Sequence, residues 1–121
     1  MTESSAHLNV QQRESVNVVE FSDRKILEEL SIREIEDELF ALVAATPAIQ
    51  LLLNFANVEH LSSAALGMLI NLQKEVGKQN GRLKLADIRP QIYEVFKITR
   101  LSKLFDIHDH APEAIASFPQ A

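Results

Sequence analysis

The sequence predicts an α/β fold, in which a mixed sheet of about four to five strands carries its helices mainly on one face. Two segments, 31–45 and 63–79, repeat apolar residues at the three- and four-residue spacing of an amphipathic helix. Between them lies QLLLNF (50–55), whose consecutive leucines are typical of a strand buried on both faces, as in a sheet covered by helices. The predicted order of elements is β-β-α-β-α-β-α-β-α.

The N-terminal segment predicts a tail followed by two strands. Residues 1–7 are small and polar, which indicates a flexible tail. The length of 121 residues predicts that residues 8–121 form a single domain. The text LNVQQRESVNVVEFS (8–22) alternates apolar and polar residues in two stretches around the polar residues 13–15. We therefore expect two short strands, with these polar residues closing a hairpin.

The first helix is predicted from Ser31 to Ala45. Ser31 is expected to cap its N-terminus, with Glu34 completing a capping box. Pro47 is expected to end it. Its apolar stripe consists of Ile32, Ile35, Leu39, Leu42 and Val43.

The second half of the chain alternates between strands and helices. After a loop (56–61), a second helix is predicted from Ser63 to Gln79, ended by the Asn-Gly pair that follows. RLKLA (82–86) alternates as a strand does, and Pro90 is suited to the first turn of the next helix. A last strand (104–107) and a last helix (112–118) complete the predicted fold.

Composition excludes several classes of function. The net charge of −5, without a long basic run, argues against nucleic acid as a partner. Without cysteine there is no thiolate ligand or nucleophile, and three glycines cannot make a phosphate-binding loop. No apolar stretch approaches the ~20 residues that span a bilayer, and the N-terminus lacks a signal-peptide pattern. We therefore expect a cytoplasmic protein that has no catalytic residue or cofactor and contacts no membrane.

One histidine-rich segment has the spacing of a metal site. Asp106, His108 and His110 alternate, so on a strand their side chains would share a face. A polar strand end that runs into a helix cap has the same appearance, and no second cluster of ligands accompanies it. We expect the polar strand end, with no metal.

The segment VEHLSSAALG (58–67) joins the buried strand to the N-terminus of the second helix. In open α/β sheets, ligands and partners usually bind at this edge. One of Ser62 and Ser63 is expected to cap the helix, which is the ordinary role of serine there. A phosphate on Ser63 would meet free backbone N–H groups and the positive end of the helix dipole. It would add charge to the surface without breaking the fold.

The stretch from Leu51 to Ile107 resembles the STAS domains of bacterial anti-sigma factor antagonists. Where that family has a strand, an Asp-Ser-(Ser/Thr/Ala)-Gly-Leu-Gly-like turn and a helix, this chain has LLLNFANVEHLSSAALGMLINL. The following NGRLKLADIRPQIYEVFKITRLSKLFDI is similar in its Gly-Arg-Leu strand, its Pro-started helix and its Thr-Arg-Leu-x-x-Leu-Phe ending. Ser63 matches the serine that is phosphorylated in the family, whereas Ser62 replaces the family's Asp and Ala65 its Gly.

The resemblance implies a regulatory switch and not an enzyme. Unphosphorylated, the protein would bind an anti-sigma factor or Ser/Thr switch kinase. Phosphorylation of Ser63, or alternatively of Ser62, would release the partner, and a phosphatase would restore binding. From the N-terminal half, only Asp23 is carried over from the family pattern. The expected partner-binding residues are His60, Leu61, Ser62, Ser63, Ala64, Met68 and Leu72, the last two as an exposed docking patch unless a neighbouring helix covers them.

Two alternatives and one question of assembly remain open. The chain could be an unphosphorylated scaffold or structural subunit of a signalling assembly, which the replacements at Ser62 and Ala65 favour. It could also bind a small ligand or nucleotide, although no phosphate cradle is present. A weak homodimer is kept open beside all three functions.

Overall fold

The computed structural model describes residues 2–4 and 7–119 of the chain, with side chains from residue 7 onward. Eight strands and four α-helices lie in this part of the chain. The strands are β1 (Thr2–Ser4), β2 (Leu8–Arg13), β3 (Val16–Phe21), β4 (Lys25–Ile26), β5 (Gln50–Asn54), β6 (His60–Leu61), β7 (Arg82–Ala86) and β8 (Asp106–His108). The helices are α1 (Glu29–Ala45), α2 (Ser63–Lys78), α3 (Pro90–Ile98) and α4 (Ala111–Ser117), with a 3-10 helix at Leu101–Lys103.

Six strands form one mixed sheet in the order β1-β2-β3-β5-β7-β8. The first three are antiparallel neighbours, and β3, β5, β7 and β8 run parallel. The α/β fold and the predicted order of its elements are confirmed. The sheet has one strand more than predicted, because Thr2–Ser4 of the predicted tail pairs with β2. Residues 1, 5 and 6 of that tail lie outside the described residues, so its flexibility stays a prediction, as does the single domain over 8–121.

The sheet buries side chains on both faces, which explains the three consecutive leucines of β5. Leu51 and Leu53 point to the face that α1, α2 and α3 cover, where the main core lies. Leu52 points to the opposite face and packs there with Ala114 of α4 and with Phe118, which directly follows that helix. The prediction that helices lie mainly on one face is therefore confirmed, with α4 as the exception.

A second, two-stranded sheet was not predicted. The strands β4 and β6 pair in parallel, Lys25 with His60 and Ile26 with Leu61. Two residues are too few to show an alternating pattern, so their pairing carries no local signal in the sequence. This small sheet nevertheless lies directly before α2 and positions its first residues.

The predicted start of the first helix is wrong. The helix α1 begins at Glu29, and the residue before it, Glu28, makes no side-chain capping bond. The Ser31–Glu34 capping box does not form, because Ser31 already lies inside the helix. The other end is confirmed, since α1 ends at Ala45, shortly before Pro47. Among the described residues, no helix has both the length and the apolar character needed to cross a membrane.

Candidate functional site

The candidate site begins at the turn that leaves β5. The side-chain oxygen of Asn54 accepts a hydrogen bond from the N–H of Ala56 (2.8 Å), and the N–H of Val58 donates to the carbonyl of Phe55 (2.9 Å). Arg89 Nε donates to the carbonyl of Ala56 at 3.0 Å. Asparagine side chains stabilise tight turns through such local bonds. The chain is thereby directed along the edge of the sheet towards α2.

Backbone hydrogen bonds then attach this segment to the loop after β3. The carbonyl of Arg24 accepts from the N–H groups of Glu59 (2.7 Å) and His60 (3.1 Å). The carbonyl of Ile26 accepts from the N–H of Ser62 at 3.1 Å. These three bonds belong to the β4–β6 pairing and its flanks. Contacts distant in sequence therefore determine where the two serines lie.

Ser62 is the N-cap of α2. Its Oγ accepts a hydrogen bond from the N–H of Ala65 at 3.1 Å, and its carbonyl accepts from the N–H of Leu66 at 3.1 Å. The residue is half-buried. Its hydroxyl oxygen is therefore already engaged in holding the start of the helix.

Ser63 is the first residue of α2 and is exposed, as is Ala64. Within the part of the chain that the structure describes, no hydrogen bond engages the Ser63 hydroxyl. The N–H groups of a first helical turn lack partners inside the helix, and they lie at the positive end of the helix dipole. The hydroxyl is thus accessible at a position where negative charge is tolerated.

The predicted docking patch on α2 is wrong. Met68 and Leu72 are only 4% and 0% exposed, because both pack into the main core. Helix α2 contacts both α1 and strand β7 of the sheet, so its apolar face is wider than the stripe that the sequence suggested. Of the other predicted partner-binding residues, His60 is exposed and Leu61 is half-buried.

Two exposed leucines, one directly after β4 and one at the start of α1, were missed by sequence reasoning. Leu27 is 47% exposed and follows Ile26, whose carbonyl binds Ser62. Leu30 is 69% exposed and lies in the first turn of α1. Leu30 falls outside the apolar stripe of that helix. This position was the signal in the sequence that could have indicated its exposure. These leucines supply the exposed apolar surface that Met68 and Leu72 do not.

A partly buried histidine connects the N-terminal segment, the loop after β3 and α1. His7 Nδ1 lies 2.8 Å from Asp23 Oδ2, and His7 Nε2 lies 3.6 Å from Glu34 Oε1. Burial lowers the pKa of His7, but the hydrogen bonds and negative charges of Asp23 and Glu34 outweigh it, so the pKa is raised above the ordinary 6.5. Asp23, the residue carried over from the family pattern, therefore anchors the loop that positions Ser62.

The histidine-rich segment does not bring together the three residues whose spacing resembles that of a metal site. His108 Nε2 lies 3.0 Å from Asp106, but His110 turns to Asp87 at 3.4 Å. Burial raises the pKa of Asp106, but Lys84, bonded to it, and His108 outweigh this effect, so the pKa is lowered. Among the described residues, no group of His, Asp or Glu side chains has an arrangement suited to a metal ion.

Comparison with known proteins places this geometry in a family. Residues 7–114 match the model of the STAS domain. The chain is 25% identical over 96 residues to BtrV of Bordetella bronchiseptica, a proposed anti-sigma factor antagonist, covering 79% of this chain and 82% of that protein.

Two solved structures have the same fold. An anti-sigma-factor antagonist (STAS) domain protein from Planctomyces limnophilus superposes with a TM-score of 0.85 at 19% identity, over 93% of this chain and 97% of that one. The Bacillus cell fate determinant SpoIIAA in its phosphorylated form superposes with a TM-score of 0.69 at 17% identity, over 90% and 96% of the two chains.

Proposed function

This chain belongs to the STAS domain family, and we propose that it is an anti-sigma factor antagonist controlled by phosphorylation of Ser63. Unphosphorylated, it binds an anti-sigma factor in the cytoplasm and thereby frees a sigma factor. A Ser/Thr kinase, which can be the anti-sigma factor itself, transfers the γ-phosphoryl group of ATP to Ser63 Oγ and ends the binding. A phosphatase reverses the change. The chain is then a kinase substrate and a binding partner, not an enzyme.

The observation that carries this proposal is the different environment of the two serines. Ser63 presents an exposed hydroxyl without a hydrogen-bond partner in the described structure, whereas the hydroxyl of Ser62 accepts from Ala65. A kinase needs access to the acceptor oxygen. Ser63 is therefore the better acceptor, although it lacks the preceding Asp of the family pattern.

A phosphate on Ser63 changes binding more than it changes the fold. It adds about −1.5 to −2 charges to the surface beside the helix N-terminus, where backbone N–H groups can accommodate it. The same charge weakens the docking of a partner on this edge in two ways. It repels acidic groups of the partner, and it must give up its hydration without a compensating contact. A loss of about 3 kcal/mol in binding free energy lowers affinity roughly a hundredfold.

The surface offered to the partner is small and partly apolar. It consists of His60, Leu61, Ser62, Ser63 and Ala64 from the serine segment, extended by Leu27 and Leu30. The exposed leucines can enter an apolar depression on the partner, and the serines belong to the same contact. Because charged residues are sparse at the centres of interfaces, a new phosphate here is disruptive.

Phosphopeptide mass spectrometry of the protein from resting and stressed cells tests the acceptor. We expect phosphate on Ser63, with an occupancy that changes between the two conditions. Phosphate on Ser62 alone would keep a switch but show the proposed acceptor to be wrong. Absence of phosphate from both serines in both conditions would contradict the switch itself.

Affinity capture from cell extract tests the consequence for binding. The Ser63→Ala variant should retain the anti-sigma partner, and Ser63→Asp should lose it. Asn71→Asp is a matched control, because it adds one negative charge to an exposed residue of the same helix about two turns further on. Equal capture by Ser63→Asp and Asn71→Asp would argue against a local effect at the serine.

A second candidate function is an unphosphorylated scaffold in a signalling assembly. The observation that favours it is Ser62, which stands in place of the family's Asp and serves as a helix cap. If the chain is such a scaffold, both serines remain unmodified. The protein then co-purifies in a large complex, which Ser63→Asp does not disturb. The two measurements above therefore separate the scaffold from the switch.

A further inference from the structure

A basic and apolar surface lies where α3 meets the 3-10 helix. Residues 97–104, which we call the basic segment, carry three positive charges and no acidic residue. Within this segment, Ile98 is 79% exposed and Leu104 is 45% exposed. Exposed apolar side chains that are surrounded by charge of one sign are typical of a contact surface.

Most of the charge in the basic segment is unpaired. Lys97 lies 3.5 Å from Glu94, one turn before it on α3. In the described part of the chain, Arg100 and Lys103 form no ion pair. Arg100 has a left-handed backbone (φ 65°), which residues other than glycine rarely adopt, and its N–H donates to the carbonyl of Lys97 at 3.1 Å. This tight turn keeps the exposed basic and apolar side chains within one short segment.

Helix α1 has the opposite charge. It contains five acidic residues and one arginine, so its net charge is −4 in a chain of net charge −5. The arginine, Arg33, lies 3.2 Å from Glu29. Leu30, which is 69% exposed, shares a side of the helix with Glu34 and Asp37, four and seven residues further on. An exposed leucine and a row of exposed carboxylates thus lie together on α1.

The two surfaces lie on opposite flanks of the layer of helices. In the sheet order β3-β5-β7-β8, α1 connects β3 to β5 and α3 connects β7 to β8. Helix α2, which contacts α1, connects the two strands in the middle. A chain therefore cannot place its basic segment on its own α1, but a second copy can. Because the two surfaces differ, such a contact joins copies head to tail.

We propose that the basic segment of one copy binds α1 of a second copy. Ile98 and Leu104 pack against Leu30, and Arg100 and Lys103 pair with the carboxylates that follow this leucine. Charge selects this occupant, because an anionic membrane would attract the basic segment but repel α1 and the chain as a whole. The contact is weak, since these few side chains bury far less than the ~1,200 Å² of a stable interface.

Self-association would regulate the proposed function. Leu30 belongs both to this contact and to the surface proposed for the anti-sigma partner, so the two bindings exclude each other. The exclusion rests on the proposed function, whereas the contact between copies does not. A measurement on the purified chain alone therefore tests the contact, whatever the outcome for the anti-sigma partner.

Sedimentation velocity of the purified chain from about 10 μM to about 1 mM tests the contact. We expect a sedimentation coefficient that rises with concentration in about 50 mM NaCl and rises far less in about 500 mM NaCl, because salt screens the charges. A chain that stays monomeric over this range would overturn the proposal. Binding of phosphatidylglycerol vesicles by such a monomer would overturn it in favour of a membrane.

Charge reversals locate the contact. Arg100→Glu and Asp37→Lys each reverse a charge on one of the two surfaces and should weaken self-association by about tenfold or more. Arg13→Glu is the matched control, because it changes the net charge as much as Arg100→Glu but lies beside α4 on the other face of the sheet. It should leave self-association unchanged.

Mixing the two variants tests the head-to-tail arrangement. Arg100→Glu retains the native α1, and Asp37→Lys retains the native basic segment. An equimolar mixture should therefore associate again, because each variant supplies the surface that the other lacks. No recovery in the mixture, or an equal loss of self-association in Arg13→Glu, would overturn the proposal.

Discussion

Ser62 and Ser63 are adjacent at the start of α2, but their hydroxyl groups have different environments. Ser62 has an extended backbone (φ −87°, ψ 168°), which turns its hydroxyl back towards the N–H of Ala65. Ser63 is one residue further, inside the helix, and its side chain points to solvent. At the residue scale, a single step along the backbone thus separates a structural serine from an accessible one.

Ser62→Ala should destabilise the fold, whereas Ser63→Ala should not. Loss of the cap leaves the N–H of Ala65 without its partner and costs about 0.5–2 kcal/mol in free energy of unfolding. Ser63→Ala removes no such bond, so its effect should stay within about 0.5 kcal/mol. Urea denaturation of the two variants measures the difference. Equal destabilisation by both would show that the cap is not formed by Ser62.

His7 predicts a pH dependence of stability. Its pKa in the folded state is raised, so protonated His7 stabilises the fold fully below the unfolded value near 6.5. That contribution is lost as the pH rises through the folded pKa. His7→Gln should therefore lower the denaturation midpoint more at pH 5.5 than at pH 8.5. The exposed His60→Gln serves as control, and a similar pH dependence in both variants would contradict the assignment.

At the scale of elements, a short pairing of strands positions a long helix. The strands β4 and β6 contain two residues each, yet they connect the loop after β3 to the start of α2. A further constraint lies at the other end of α2, where the N–H of Gly81 donates to the carbonyl of Val76 at 2.8 Å and turns the chain into β7. The helix is thus held at both ends by backbone contacts.

The glycines of this region should respond to alanine in opposite directions. A Cβ at Gly81 would lie 2.6 Å from the backbone oxygen of Ile49, so Gly81→Ala forces the backbone to move and lowers stability. A Cβ at Gly67, inside α2, would meet nothing within 4 Å. Gly67→Ala should raise the free energy of unfolding by about 0.5–1 kcal/mol, because alanine is the better helix former. Thermal denaturation of both variants measures the signs, and stabilisation by Gly81→Ala would contradict this packing.

At the scale of the whole molecule, a chain of aromatic rings connects distant elements. Phe21 contacts Phe55 at 5.0 Å between ring centroids, Phe55 contacts Phe96 at 6.4 Å, and Phe96 contacts Phe105 at 5.9 Å. The four rings join β3, the turn after β5, α3 and the link between the 3-10 helix and β8. The site turn therefore rests on the same core that holds the C-terminal half.

Phe96→Ala should be strongly destabilising. Phe96 is fully buried, and truncation of such a ring costs about 3–5 kcal/mol in free energy of unfolding. Tyr93→Ala, on the exposed side of the same helix, is the matched control and should cost less than about 1 kcal/mol. Chemical denaturation measures the loss in free energy of unfolding for each variant. Similar losses for both would contradict a role of Phe96 in the core.

Local patterns in the sequence were sufficient for most of the secondary structure. The periods of α1 and α2, the leucine run of β5 and the proline at the start of α3 each depend on near neighbours, and all four predictions were confirmed. The start of α1 was wrong because Ser31 has the residue type of a cap but lies two residues inside the helix. Capping preference is a weak signal, because serine also occurs inside helices at a modest energetic cost.

The sequence by itself determined the α/β fold, the order of its elements and the segment that contains Ser62 and Ser63. Only the tertiary structure decided that Met68 and Leu72 are buried and that Leu27 and Leu30 are exposed. The physical reason is that periodicity reports which side of an element is apolar, whereas exposure depends on what packs against it. That packing joins residues distant in the chain, such as Ile26 and Ser62, and no local pattern records such a contact.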